Sequence, residues 1–255
     1  MLSIIIITKN EEKTLPRLLE SIKNQDFKDY ELILSDASST DKTRDIAQKY
    51  GCKIIKGGLP AEGRNNGARV AKGDILLFLD SDTKLPPNFL SKNLKEFNEK
   101  KLAIAIPFPI PLSKKYSDQV IFKSYRGFAV ITQFFIPNGG GFCIFCKKKI
   151  FEKIRGFNKT LILGEDHDLI RRCSKYGRFR ILKNKPILLD VRRLEKEGRF
   201  LFLVKYITWG YQQIILGKKT HSSIFEYNMQ GINITKMNKK GTNEIYYGLL
   251  NYIKK

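Results

Sequence analysis

The chain has 255 residues, 42% hydrophobic and 28% charged, a balance that fits a globular fold with a sizeable core and excludes a disordered chain. Its apolar runs, such as Phe128–Ile131 and Phe142–Cys146, are far too short to span a bilayer, and residues 1–7 lack the basic start of a signal peptide, so neither a membrane-spanning nor an exported protein is expected. The net charge of +22 is unevenly carried: residues 1–100 hold 17 basic and 15 acidic side chains and residues 101–255 hold 30 and 10, so an anionic partner is expected to meet the second half.

Ser3–Thr8 reads as a buried strand, since its four consecutive isoleucines are apolar on both faces. Asn10-Glu11-Glu12 opens a helix whose apolar positions Leu15, Leu18, Leu19 and Ile22 keep the helical period. Tyr30–Ser35 is a second strand ending at Asp36; Asp41 caps a helix to about Tyr50, where Gly51 ends it; Lys53–Lys56 is a third strand. Gly63–Ala71 reads as a helix, which leaves Arg64 at a loop-to-helix junction. Ile75–Leu79 is a strand, and Pro86-Pro87 start a helix to about Lys100. This alternation predicts an α/β fold with a Rossmann-like, mostly parallel sheet flanked by helices.

Leu102–Phe108 is one more strand, after which residues 112–141, basic and aromatic and closed by Asn138-Gly-Gly-Gly141, read as a substrate loop or lid. Phe142–Cys146 resumes a strand. Cys143 and Cys146 lie three apart on it and face opposite ways, so these thiols belong to the core of a protein in a reducing compartment and not to a metal or redox site. Lys148–Ile154 is a short helix, Gly164-Glu-Asp-His-Asp-Leu169 opens another, and Arg178–Leu189 reads as an extended pair of strands. The division expected is a nucleotide-binding half over 1–110, an acceptor and catalytic half over 111–197, and a basic, aromatic, helical extension over 198–255.

The chemistry collects at strand ends. Asp80-Ser-Asp82 closes the Ile75–Leu79 strand, and a spacing of two points both carboxylates to one side, where hard oxygen ligands suit Mg²⁺ or Mn²⁺. Thr8 and Asp36 fall on the same rim, and Asp36 can accept hydrogen bonds from a base or ribose. Neither a Gly-x-Gly-x-x-Gly nor a Gly-Lys-Ser/Thr motif occurs, so phosphate would be held through a metal. In Glu165-Asp166-His167-Asp168 the carboxylates read either as helix N-terminal charges or as a general base, and His167 as a satisfied polar side chain.

Ser3-Ile-Ile-Ile-Ile-Thr-Lys-Asn-Glu11, Asp36-x-x-Ser-x-Asp41-x-Thr43, Gly63-Arg-Asn-x-Gly67, Asp80-Ser-Asp82 and Glu165-Asp166 together resemble the family 2 nucleotide-sugar glycosyltransferases, in that order and over about residues 1–190. The resemblance implies a GT-A fold, a nucleotide-sugar donor, a divalent metal and inversion at the anomeric carbon. It places Thr8, Glu11, Asp36 and Arg64 around base and ribose, and Asp80 at the ribose or touching the metal through water. Asp82 would be the direct metal ligand and Asp166 the catalytic base beside Glu165, with Gly140, in Gly139–Phe142, shaping the acceptor pocket. Arg192-Arg193 has no tryptophan after it, which argues against processive polymer synthesis.

The acceptor is expected to be a glycan or a lipid-linked group of the cell envelope, and the location the cytoplasm or the inner face of the membrane. Basic and aromatic residues over 198–219 suit peripheral contact with anionic lipid. Two other readings compete. A nucleotidyltransferase would need a Gly- and Lys/Arg-rich loop where Thr8-Lys-Asn-Glu11 stands. An RNA-binding protein could use Tyr125, Phe128, Tyr206 and Trp209 among the lysines, but lacks a recognisable motif.

Overall fold

The structure, a computed structural model, describes residues 1–135, 137–161 and 164–199, together with the backbone of a two-residue antiparallel pair at 228–229 and 232–233. The helical extension expected over 198–255 otherwise lies outside the described residues.

One eight-stranded sheet carries the fold. Its strands are β1 (Leu2–Thr8), β2 (Tyr30–Asp36), β3 (Lys53–Lys56), β4 (Ile75–Asp80), β5 (Thr83–Lys84), β6 (Leu102–Pro111), β7 (Cys143–Lys147) and β8 (Arg178–Leu189), and they lie in the order β3-β2-β1-β4-β7-β6-β8-β5. The first half is parallel, with β1 between β2 and β4 and β3 outside β2. The sheet is mixed beyond that point, because β7 runs antiparallel to both β4 and β6 while β6 and β8 are parallel. Arg178–Leu189 forms one twelve-residue strand where a pair was expected, and the irregularity shows instead as register shifts against β6.

Strand alternation divides the core into two layers. Ile4 and Ile6 of β1, Leu77 and Leu79 of β4, and Cys143 and Phe145 of β7 pack on one face against α1 (Leu15–Lys23) and α4 (Phe89–Glu99). Ile5, Leu76, Phe78, Ile144 and Cys146 pack on the other against α3 (Pro60–Val70), α6 (Lys148–Lys153) and α7 (Glu165–Ser174). The two thiols of the C-x-x-C thus end in opposite layers, as period two requires. Ile4, Ile5 and Ile6 are fully buried, and each contributes about 1.5–3 kcal/mol of burial free energy.

Several boundaries move for local reasons. Helix α1 starts only at Leu15, because residues 9–14 form a turn that docks on the loop after β2: Asn10, at φ 54°, accepts the Thr40 amide at 2.9 Å, and the Glu11 and Glu12 amides donate to Thr43 Oγ1 and Asp41 Oδ2. Asp41 also accepts the Thr43 amide ahead of α2 (Thr43–Lys49). Helix α3 begins at Pro60, so Arg64 sits inside a helix and not at its junction with a loop. Its Gly67 faces β1 so closely that a Cβ would come within 2.3 Å of Ile5.

The segment expected as a loop contains α5 (Tyr116–Thr132), seventeen residues long, of which only Asp118 and Ala129 are buried. The short α8 (Arg192–Glu197) follows β8.

Candidate active site

At the C-terminal edge of β1 and β2, Thr8 Oγ1 donates to Asp36 Oδ1 at 3.1 Å. Asp36 also accepts the Ser39 amide at 2.9 Å and the Ser39 hydroxyl. Both residues are buried. Three of the roughly four acceptor positions of the Asp36 carboxylate are therefore used, two by Ser39 of its own turn and one by Thr8 of β1, which leaves about one for a ligand.

The centre of the site is Arg64. Its guanidinium, wholly enclosed, donates from Nη1 to Glu165 Oε1 at 2.8 Å and from Nη2 to Asp80 Oδ1 at 2.9 Å, with the Gly141 carbonyl 3.5 Å from Nη2. The Phe157 ring lies beneath it, 5.4 Å from Cζ. Burial alone would favour the neutral form, but Asp80, Glu165 and Asp166 outweigh it and hold the group charged more firmly than in water. Its Nε is buried with no partner. The sequence expectation placed Arg64 against a base or phosphate; the structure shows its fork committed to two carboxylates. The Gly-Arg-Asn-x-Gly motif explains how: Gly63 and Gly67 let α3 approach β1, Arg64 reaches inward, and Asn65 brackets Phe157 through both its amide and its carbonyl at 2.8 and 2.9 Å.

Asp166 follows Glu165 in the first turn of α7, after Gly164 at φ 78°. Its Oδ1 accepts the His167 amide at 2.8 Å. A Cβ on Gly141 would stand 3.0 Å from Arg64 Nη2 and 3.2 Å from Asp166 Oδ2, a tight fit that would require one of those side chains to shift by a few tenths of an ångström. Burial pushes the Asp166 carboxyl up to about 6, Arg64 and the His167 amide oppose this, and Asp80 adds to it. Glu165 is raised as well, by burial and then by Asp166, against the pull of Arg64. His167, its side chain 19% exposed, is pulled down to about 4 by the loss of water around it and by Arg171, although Glu165 opposes the change, so it is neutral at pH 7. Arg172 fixes the helix from its other end, bonding Asp168 Oδ2 and the carbonyls of Ile154 and Gly156 at 2.7–2.8 Å.

Asp82 lies one turn beyond Asp80. Burial raises its carboxyl to about 7, and Asp80, Glu11 and Asp190 raise it further while Arg192 lowers it. The arginines nearby are bound to other groups. Glu11 accepts the Thr14 hydroxyl and pairs with Arg192 at 3.5 Å. Arg17 Nη2 donates both to the Asp82 carbonyl at 3.0 Å and to Asp190 Oδ2 at 2.9 Å. Among the described residues no three His, Cys, Asp or Glu side chains are grouped as a complete metal cage.

The sequence-predicted residues thus fall into three groups: Thr8 with Asp36; Arg64 with Asp80, Glu165, Gly141 and Asp166; and Glu11 facing Asp82. Gly140 packs against Phe142, where a Cβ would meet its ring at 2.6 Å. Sequence reasoning missed Arg17 and Asp190. Asp190 could have been found as the carboxylate directly after β8, whereas Arg17 sits on a helix face with nothing to distinguish it.

Residues 3–155 match the family profile Glycosyl transferase family 2. An uncharacterized glycosyltransferase of Haemophilus influenzae is 30% identical over 206 residues, covering 73% of this chain and 67% of that one. The GalNAc(5)-diNAcBac-PP-undecaprenol beta-1,3-glucosyltransferase of Campylobacter jejuni is 36% identical over 107 residues, 38% of this chain and only 35% of its own length. Among solved structures, the mannosyltransferase PcManGT of Pyrobaculum calidifontis, in complex with GDP-Man and Mn²⁺, superimposes with a TM-score of 0.68 at 18% identity over 86% of this chain and 65% of that one. Staphylococcus aureus TarS with UDP-GlcNAc gives 0.61 at 20% over 74% and 58%. These likenesses give the fold, an α/β GT-A arrangement with a mixed sheet.

Proposed function

The chain belongs to glycosyl transferase family 2, and on that premise we propose that it transfers a sugar from a nucleoside-diphosphate sugar to an acceptor hydroxyl or a lipid phosphate, with inversion at the anomeric carbon. The observation that carries this reading is the Arg64 fork. It joins Asp80, two residues from Asp82, to Glu165, one residue from Asp166, so the Asp-Ser-Asp turn and the Glu-Asp pair belong to one buried network. A nucleotidyltransferase has no evident use for a carboxylate beside Glu165 tuned to about 6; a general base does.

Asp36, Thr8 and Glu11 line the side assigned to base and ribose, with one acceptor position of Asp36 left for the donor. Asp80, anchored by Arg64, lies at the ribose or contacts a cation through water. Asp82 fits a divalent cation: its carboxylate is partly buried and raised to about 7 by burial and three other carboxylates, which Arg192 offsets only in part. With no third protein ligand grouped among the described residues, such an ion would complete its shell from diphosphate and water, as Mg²⁺ commonly does. PcManGT, the neighbour with GDP-Man and Mn²⁺, supports the metal. When bound, the cation supplies positive charge to the leaving diphosphate.

Asp166 takes the proton of the acceptor hydroxyl as that oxygen bonds to the anomeric carbon. The bond from carbon to the diphosphate oxygen breaks, and the diphosphate leaves with the electron pair. Gly139–Phe142, threaded beside Asp166, forms the acceptor wall, so residues 1–110 serve the donor and 111–197 the acceptor and the base. The name of the Campylobacter relative supports a lipid-linked acceptor and a place at the inner face of the membrane; no helix among the described residues is long and apolar enough to cross one.

A thermal-shift screen of UDP-, GDP-, CMP- and dTDP-sugars with Mn²⁺ tests the donor, since a ligand that binds only the folded state raises its melting temperature. One donor should stand out and be turned over on an acceptor; stabilisation by nucleoside triphosphates alone would overturn the reading.

A further inference from the structure

Helix α5 turns an apolar stripe to solvent. Tyr116, Val120, Phe128 and Ile131, with Phe134 and Phe135 just past its end, are between 42% and 84% exposed. The helical positions among them fall largely on one side, and Gly127 within the stripe has open space around it, with nothing within 4 Å of an added Cβ. Large apolar side chains scattered singly over a surface are ordinary, but several collected on one side of a helix, here in two groups around Val120 and Phe128, mark an interaction site.

The charge around the stripe selects the partner. Asp118, the one acidic residue of α5, is turned inward and gripped by Arg199. Outward charge on the helix comes from Lys123 and Arg126, with Lys114 directly before it; Lys115 is paired with Glu195 at 3.1 Å. Arg126 stacks on Phe108 at 4.3 Å, and Arg180 on Phe134 at 4.7 Å. A helix with an apolar face rimmed by cations, and without an outward carboxylate, complements an anionic bilayer surface. The stripe is also close in sequence to the site: α5 ends at Thr132, and the Gly141 carbonyl lies 3.5 Å from Arg64 Nη2.

We infer that α5 lies in the headgroup region of an anionic membrane, so that an acceptor carried on lipid reaches Asp166 from the Gly139–Gly141 side. This deepens the proposed function and rests on it for the identity of the cargo. Docking itself does not depend on the donor chemistry.

Flotation of the full chain with phosphatidylcholine vesicles, with and without phosphatidylglycerol, tests the inference. Binding is expected only with the anionic lipid and should weaken with added salt. Ile131→Glu and Lys123→Glu should each reduce partitioning about ten-fold, while the nucleotide-sugar thermal shift in vesicle-free buffer stays as in the parent protein. Three results would overturn the inference: no flotation of the parent protein, flotation of both variants equal to the parent's, or a dimer in solution that Ile131→Glu dissociates without any vesicle binding. An Ile131→Glu protein that floats unchanged but melts lower would also overturn it, because the chain's own residues after 199 would then cover the stripe. Flotation that follows the variants in a protein that binds no nucleotide sugar would instead remove the donor reading and leave this surface standing.

Discussion

Arg64 Nη1 lies 2.8 Å from Glu165 Oε1, a contact that reaches across 101 residues of sequence and fastens the middle of α3 to the first turn of α7. The second arm of the same guanidinium holds Asp80 at 2.9 Å. Removing it strands the enclosed Glu165 carboxylate, while Asp80, 34% exposed, keeps some access to water; breaking a fully buried charge pair typically costs about 3–5 kcal/mol, an upper figure for this pair. Arg64→Ala should therefore unfold at markedly lower denaturant. Arg64→Lys should recover part of the stability and little activity, since an ammonium cannot fork between the two acids. Chemical denaturation of the three proteins checks this; an unshifted midpoint for Arg64→Ala would refute the structural role.

Asp166, pushed up to about 6 principally by burial, must be unprotonated to accept a proton. Transfer should be level above pH 7 and fall about ten-fold by pH 5, as the carboxylate takes up a proton. Asp166→Asn should lower turnover by about 10²–10⁴ while the donor still raises the melting temperature. A variant that keeps its turnover takes Asp166 out of the role.

Asp82 is held near pH 7 by burial, Asp80, Glu11 and Asp190. In Asp82→Asn one of these crowded acids is gone, so the metal-free protein should melt no lower than the parent. Mn²⁺-dependent binding of nucleoside diphosphate should weaken at least about ten-fold in titration calorimetry. Unchanged Mn²⁺-dependent affinity would move the cation elsewhere.

His167 is lowered to about 4, chiefly by burial. Between that value and its unfolded value near 6.5 the unfolded chain binds a proton that the folded one refuses. Stability from this group is thus full above about pH 6.5 and declines as pH falls to about 4, by about 3 kcal/mol in total. Asp166, raised in the fold, acts in the opposite sense over part of the same range. Comparing the parent with His167→Gln isolates the histidine: the parent should lose more stability than the variant on going from pH 7 to pH 5. Parallel pH profiles would show that His167 can charge in place.

The four-isoleucine strand, the apolar run into Asp80-Ser-Asp82 and the alternation of Cys143 and Cys146 were legible because β1, β4 and β7 are central strands whose apolar identity is set on both faces. The antiparallel sense of β7 was not, since pairing direction leaves no mark on a short apolar run. Helix α5 was hidden for a related reason. Its outward stripe is apolar and its buried face includes Asp118, the reverse of the usual helical pattern, and Arg199, 81 residues away, with help from Ser113 and Lys115, makes that burial tolerable.

Local order settled the elements and the residue types at the strand ends: period-two and helical spacing, turn residues and paired carboxylates all act over a few positions, and a sequence displays them directly. The tertiary structure alone decided that Arg64 serves one carboxylate on a strand and one on a helix, that Arg17 and Asp190 steady the turn at Asp82, and that the Gly141 carbonyl lies beside Arg64. Those are contacts between residues tens to more than a hundred positions apart. Their charges and exposures follow from which groups share a low-dielectric interior, and that is fixed only when the sheet brings the segments together.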